Sequence, residues 1–262
     1  MNAVSMQRRV VYRNLVFDRA GQSPSSPRSA QGKASLLQSA ESGEHGDSRK
    51  AWSTRNLSCG RRLVLVAIAL FAFAASPASA QTWKPLFNGS DLTGWHTQPG
   101  GKWEVVEGVI VGTSPKSEPR HGLLVSDDQY ANFVLRAKFR VHQGNSGLYF
   151  RAEKTDTNVA VRGFQAEVDA TSAVGGLYET AMRAWVRKSD PKLVEKIVSH
   201  RNWVDITVTA INDDLTVSLN GVTVTELLGD KECLKRGHIA LQLHGGTDMH
   251  VEFKDIAILE LP

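Results

Sequence analysis

From Gln81 to the end of the chain, apolar and polar residues exchange places at almost every step, with turn residues between the runs. In "NFVLRAKFRVH" the series Phe133, Leu135, Ala137, Phe139 and Val141 alternates with Val134, Arg136, Lys138, Arg140 and His142. In "HIALQLHG" the series Ile239, Leu241 and Leu243 alternates with Ala240, Gln242 and His244. A period of two is that of a strand with one face on a core. Asn220-Gly221 inside "LTVSLNGVTVTEL" is a hairpin signal, and Glu107-Gly108 separates two further apolar runs. Only Ser189 to His200, "SDPKLVEKIVSH", reads as a short helix. Many short strands with hairpin turns predict an all-β fold, an antiparallel β-sandwich of jelly-roll form, although alternation alone is also compatible with a closed barrel.

The first 80 residues have a different character. An apolar run of 13, Leu63 to Ala75, follows Arg61 and Arg62 and precedes the small residues of "SPASA". This is the layout of an export signal cut after Ala80, and it predicts a periplasmic or secreted product. The run is too short for a stable membrane anchor. Residues 1–50 are rich in Ser, Arg, Gly and Gln without hydrophobic period, and are expected to be a disordered extension or one created by a misplaced start, the true start lying nearer Leu57 or Val64.

Removing this segment reverses the charge. Residues 1–80 hold 11 Lys+Arg and 4 Asp+Glu, net +7; residues 81–262 hold 20 and 23, net −3. The basic balance thus belongs to the leader, and a nucleic-acid or anionic-membrane partner loses its electrostatic support. Cys233 is the one cysteine left, so no intrachain disulfide is expected in residues 81–262.

Candidate chemistry gathers in Gly144 to Ala170. Leu148, Phe150, Phe164, Ala166 and Val168 form one row; Asn145, Gly147, Tyr149, Arg151, Gln165, Glu167 and Asp169 form the other. A row such as Arg136, Lys138 and Arg140 is what an ordinary wet strand carries. The second row is instead built from short, directional groups, and Gln242 and His244 extend it on another predicted strand. Convergent amides, carboxylates, an arginine and aromatic rings suit a sugar, whose hydroxyls each need donor and acceptor partners and whose rings stack on aromatics. Tyr178, Arg183 and Trp185 are expected in a rim loop, with Glu167 also placed to pair with Arg151. No nucleophile elbow or phosphate loop is present. His142, His244 and His250 are of the type that joins Glu167 or Asp169 around a divalent cation, without spacing that demands one.

Taken in order, "LFNGSDLTGW", "WEVVEGVIVG", "NSGLYFR", "GFQAEVD", "GGLYE", "NWVDITVTA" and "IALQLHGG" resemble the bacterial 3-keto-disaccharide hydrolase family over Trp83 to Leu261. The resemblance implies a concanavalin-like sandwich, export, and cleavage of glycosides already oxidised to a ketone at carbon 3. Many members read Glu-x-Gln where this chain reads Gln165-Ala166-Glu167, which leaves the catalytic carboxylate between Glu167 and Asp169. The implied chemistry is proton abstraction at carbon 2 followed by β-elimination, with or without rehydration. Glu167 and His244 serve as base and acid in either order, Arg151 or a metal faces the enolate, and Asn145, Gln165 and Gln242 hold hydroxyls. An ordinary glycosidase using Glu167 and Asp169, roughly 7 Å apart along a strand, and a lectin-like binding module are the competing expectations.

Overall fold

The computed structural model describes residues 81–262 except 158, 172, 200 and 201; the expected export signal and its apolar run lie outside the described residues. In chain order the strands are β1 (Lys84–Pro85), β2 (Trp95–Gln98), β3 (Lys102–Val106), β4 (Val109–Ser114), β5 (Gly122–Tyr130), β6 (Phe133–Gln143), β7 (Asn145–Lys154) and β8 (Val161–Asp169). There follow β9 (Leu177–Thr180), β10 (Ala184–Arg187), a helix α1 (Pro191–Ile197), β11 (Val204–Ile211), β12 (Asp214–Leu219), β13 (Val222–Leu227), β14 (Gly237–Leu243) and β15 (Met249–Glu260).

The strands form two antiparallel sheets, an eight-stranded one ordered β13-β12-β11-β6-β15-β4-β3 with β1 beside β15, and a seven-stranded one ordered β10-β9-β8-β7-β14-β5-β2. This is the expected sandwich. Its core is a single cluster fed by the alternating rows: Phe133, Leu135 and Phe139 of β6 and Phe253 of β15 meet Leu148 and Phe150 of β7, Phe164 of β8 and Leu241 of β14. Burying such side chains contributes about 1.5–3 kcal/mol each relative to exposure, so the period-two pattern fixes which face turns inward.

The predicted turns are explicit. Asn220 and Gly221 have φ of 49° and 80°, and Glu107 and Gly108 have 50° and 78°, so each two-residue loop has the doubly positive φ of a type I′ hairpin turn. The helix is shorter than the predicted segment because Pro191 opens it and Asp190 caps it, accepting a hydrogen bond from the Lys192 amide at 3.0 Å. Among the described residues no helix is long and apolar enough to cross a membrane.

One departure from strict alternation matters. Pairing between β7 and β8 slips between Phe150 and Glu153, and Arg151 has a φ of 48°. This β-bulge inserts one residue and changes which face receives the next side chain. Tyr149 and Ala152 therefore share the outer face of the seven-stranded sheet, where they pack with Leu123, Val125, Val161 and Ala240. The Arg151 side chain leaves that face for the end of the sandwich.

Candidate functional site

On the outer face of the seven-stranded sheet, β7, β8, β9 and β14 line an open cavity of about 760 Å³. Its central group is Glu167, 3% exposed and opposite Gly147 in the β7–β8 register. The Asn145 amide donates to Glu167 Oε1, and Gln165 Nε2 donates to Oε2 at 3.0 Å. Just before the start of β9 the backbone is already anchored, for the Glu167 amide donates to the Gly176 carbonyl at 2.9 Å and its carbonyl accepts from the Gly175 amide at 2.8 Å. Burial pushes the Glu167 carboxyl up to about 7; the nearby Asp169 charge adds to this, and the two amides oppose it. A carboxyl of that kind exchanges a proton at neutral pH.

Gly147 explains how Gln165 reaches its place. A Cβ at position 147 would lie 2.4 Å from Gln165 Oε1, so the amide lies across the strand only because no side chain is there. Gln165 Oε1 and Gln242 Oε1 are buried and have no hydrogen-bond partner. Unsatisfied buried acceptors are costly, by about 1–3 kcal/mol each, and both belong to side chains that line the cavity.

A second chain of groups closes the opposite side. Tyr149 Oη lies 2.8 Å from Thr180 Oγ1 and accepts from Gln242 Nε2 at 3.1 Å, and the same Nε2 lies 3.1 Å from His121 Nδ1. Burial raises the Tyr149 phenol above its ordinary value, so it remains a neutral donor. The His121 and His244 rings meet edge to face at 4.4 Å between centroids. Burial first, and His244 second, hold His121 down to about 4. His244 is exposed at the mouth with Nδ1 2.8 Å from the Gly245 carbonyl, which leaves Nε2 to a ligand. Across the cavity Tyr178 and Trp185 pair at 5.4 Å and 85°, with Trp185 37% exposed as an apolar platform.

The structure thus brings together Asn145, Tyr149, Gln165, Glu167, Tyr178, Trp185, Gln242 and His244. It separates three other expected residues from them. Arg151 is 2% exposed, and its guanidinium donates to the carbonyls of Ala131 (2.7 Å), Asn212 (2.8 Å) and Leu234 (3.1 Å), so the bulge turns the expected enolate partner into a structural group. Arg183 is engaged by Glu179 and by Asp230, the latter at 2.7 and 3.0 Å, instead of facing the cavity. Asp169 accepts from the Thr171 amide and hydroxyl at 2.9 and 2.5 Å and does not line the cavity.

The expected cation group also divides. His142 and His250 stand on the outer face of the other sheet, beside Glu252, and do not meet His244, Glu167 or Asp169. Conversely, His121 and Thr180 belong to the cavity and were not expected there. The only sequence signal for His121 is its place before the apolar run of β5; the β5–β14 register ends with Gly122 opposite Leu243, and His121 and His244 flank that last pair with their rings in contact. A smaller opening of about 480 Å³ beside Arg187 and Glu226 gathers no comparable set.

The family model described as a 3-keto-alpha-glucoside-1,2-lyase-like domain matches residues 82–259. The chain belongs to that family. It is therefore a carbohydrate-active protein on a jelly-roll sandwich. No curated protein matches it by sequence. Among solved structures, a candidate glycosyl hydrolase from Parabacteroides distasonis shares the fold with a TM-score of 0.51 and 21% identity, covering 69% of this chain and 94% of that one. The carbohydrate-binding module CBM66 from Bacillus subtilis aligns with a TM-score of 0.49 and 19% identity, over 64% of this chain and 96% of its own.

Proposed function

We propose that this member of the 3-keto-alpha-glucoside-1,2-lyase-like family cleaves 3-keto-glycosides by β-elimination, as an exported enzyme. The observation that carries the proposal is Glu167, a buried carboxyl in a sugar-sized cavity, oriented by two amides and poised near neutral pH. A ketone at carbon 3 acidifies the hydrogen on carbon 2, and a general base works best with a pKa near the working pH.

In this reading the Glu167 carboxylate takes the proton from carbon 2, and the electron pair moves to the carbon-3 oxygen as an enolate. The enolate reforms the ketone, carbon 1 and carbon 2 become doubly bonded, and the bond from carbon 1 to the glycosidic oxygen breaks. His244, in its doubly protonated form with Nδ1–H held on the Gly245 carbonyl, delivers the Nε2 proton to the departing oxygen and is left as the neutral imidazole. Addition of water across the new double bond gives net hydrolysis. Since Arg151 is committed elsewhere, developing enolate charge falls to neutral donors such as the Asn145 amide and the Tyr149 hydroxyl. Gln165 and Gln242 accept from sugar hydroxyls, and Trp185 supports a ring face.

Asp169 is turned into its own loop, which disfavours the two-carboxylate route of an ordinary glycosidase. The unpaired Gln165 and Gln242 oxygens would serve a binding module equally, and one assay separates the two readings. A 3-keto-glucoside and its unoxidised parent are offered to the protein while aglycone release and enone absorbance are followed. Release from the keto form alone is expected. Comparable release from the parent, or saturable binding without release, would overturn the proposal.

A further inference from the structure

The outer face of the eight-stranded sheet carries a cluster that the cavity does not use. On β6, His142 alternates with the core residue Val141; on β15, His250 and Glu252 alternate with Met249, Val251 and Phe253. The three side chains therefore share one face of two adjacent strands. His142 Nε2 lies 3.1 Å from Glu252 Oε1, and His250 Nε2 lies 3.9 Å from the same oxygen. The three potential ligand atoms are all within 4.8 Å of one another.

The arrangement is more specific than a surface ion pair. Arg140 holds the other carboxylate oxygen, Oε2, through Nε at 2.8 Å and Nη2 at 2.6 Å. Arg140 is in turn seated 4.8 Å over the Trp203 ring. The Glu252 carboxylate is thus fixed, 13% exposed in its side chain, with Oε1 turned towards two imidazoles. One proton shared with one ring leaves the second ring unanswered, whereas one cation answers all three groups. Ligand bonds of about 2.0–2.2 Å place neighbouring donors of a tetrahedral ion roughly 3.3 Å apart. The His142 to Glu252 separation already matches that edge. His250, 43% exposed in its side chain, has room to close the remaining gap by rotation.

We propose that His142, His250 and Glu252 form a binding site for a first-row divalent transition metal, zinc in particular, with water completing the shell. Two imidazoles among three ligands select such an ion over magnesium or calcium, which favour oxygen shells. Arg140 is a positioning residue, setting the carboxylate as outer partners of metal ligands do. The site is separate from the cavity, since the two occupy the outer faces of different sheets. An ion here joins β6 to β15 just before β6 passes through Gly144 into Asn145.

The test uses the purified protein stripped of metal and titrated with zinc chloride against a chromophoric chelator, with thermal unfolding followed in parallel. One equivalent is expected to bind at micromolar concentration or tighter, on the order of the tenfold steps that metal ligands control, and to raise Tm. His142→Ala and His250→Ala should each weaken binding by at least about tenfold and abolish the zinc-dependent rise, with the metal-free Tm unchanged. Cobalt should give visible d–d bands that the same substitutions remove. Absence of stoichiometric binding, or full-strength binding in the His142→Ala/His250→Ala double variant, would overturn the site. So would loss of binding in His244→Ala with retention in His142→Ala, which would move the metal to the cavity.

Discussion

Gln165 Nε2 donates to Glu167 Oε2 at 3.0 Å, so an amide two residues back along the same strand sets the orientation of the carboxylate at the centre of the cavity. The pair shares one face because strand side chains repeat every second residue. Exchange of Glu-x-Gln for Gln-x-Glu keeps that face and moves the carboxylate by one pleat.

Glu167→Gln is expected to lower kcat on a 3-keto-glucoside by about 10²–10⁴, the range of general-base catalysis, while leaving substrate binding within a fewfold. Steady-state kinetics paired with calorimetric binding checks this, and a kcat within a fewfold of the parent would remove Glu167 from the chemistry.

The same carboxyl makes stability depend on pH. Its folded value, about 7, lies above the ordinary 4.5, so the unfolded chain releases the proton first and stability falls as pH rises through that interval. A difference of this size corresponds to about 3 kcal/mol. Glu167→Gln should therefore be more resistant to urea than the parent at pH 8 and nearly equal to it at pH 4.5. In activity the sign is opposite, with kcat/KM rising with pH through about 7 as the base ionises. Asp169→Asn should shift that limb to lower pH, because the Asp169 charge helps to hold the proton on Glu167.

Gly147→Ala places a methyl 2.4 Å from Gln165 Oε1 and must displace the amide. Destabilisation of about 1–3 kcal/mol is expected, together with a raised KM, since the displaced amide both orients Glu167 and faces the ligand. An unchanged KM in a normally folded variant would deny Gln165 a role in binding.

Arg151→Met should act on folding and not on chemistry. It leaves the Ala131, Asn212 and Leu234 carbonyls without their donor, and because these groups are only partly buried and water can answer some of them, the loss is about 1–3 kcal/mol in all. Denaturant melts should show that loss, and activity per folded molecule should stay within about twofold. A selective fall in kcat at full stability would return Arg151 to the active site.

Trp185→Ala removes the exposed platform beside Tyr178 and is expected to raise KM by about tenfold with little change in kcat, in line with stacking worth about 1 kcal/mol or somewhat more. Equal KM values for the two proteins would place the sugar elsewhere in the cavity.

The sandwich was legible because its signals are local. Alternation along β6 and β14 and the turn at Asn220-Gly221 each report on a few neighbouring residues. Most of the cavity was legible for the same reason: Asn145, Tyr149, Gln165 and Glu167 follow the pleat of two paired strands. Arg151 defeated the pattern, because a bulge breaks the period between Phe150 and Glu153 and local alternation does not foresee it. Arg183 was misplaced because its partner Asp230 lies 47 residues away, and His121 was overlooked because it meets its cavity neighbour Gln242 across 121 residues. Contacts of that kind are set by strand order, on which single-strand periodicity is silent.

The Arg151 guanidinium carries a folding consequence. Ala131 stands between β5 and β6, Asn212 between β11 and β12, and Leu234 between β13 and β14. These turns are far apart along the chain, and the first and last connect one sheet to the other. The cation can meet all three carbonyls only after both sheets have docked, so it acts as a late latch. Substitution there should speed unfolding while leaving the refolding rate nearly unchanged, the signature of contacts made after the rate-limiting barrier.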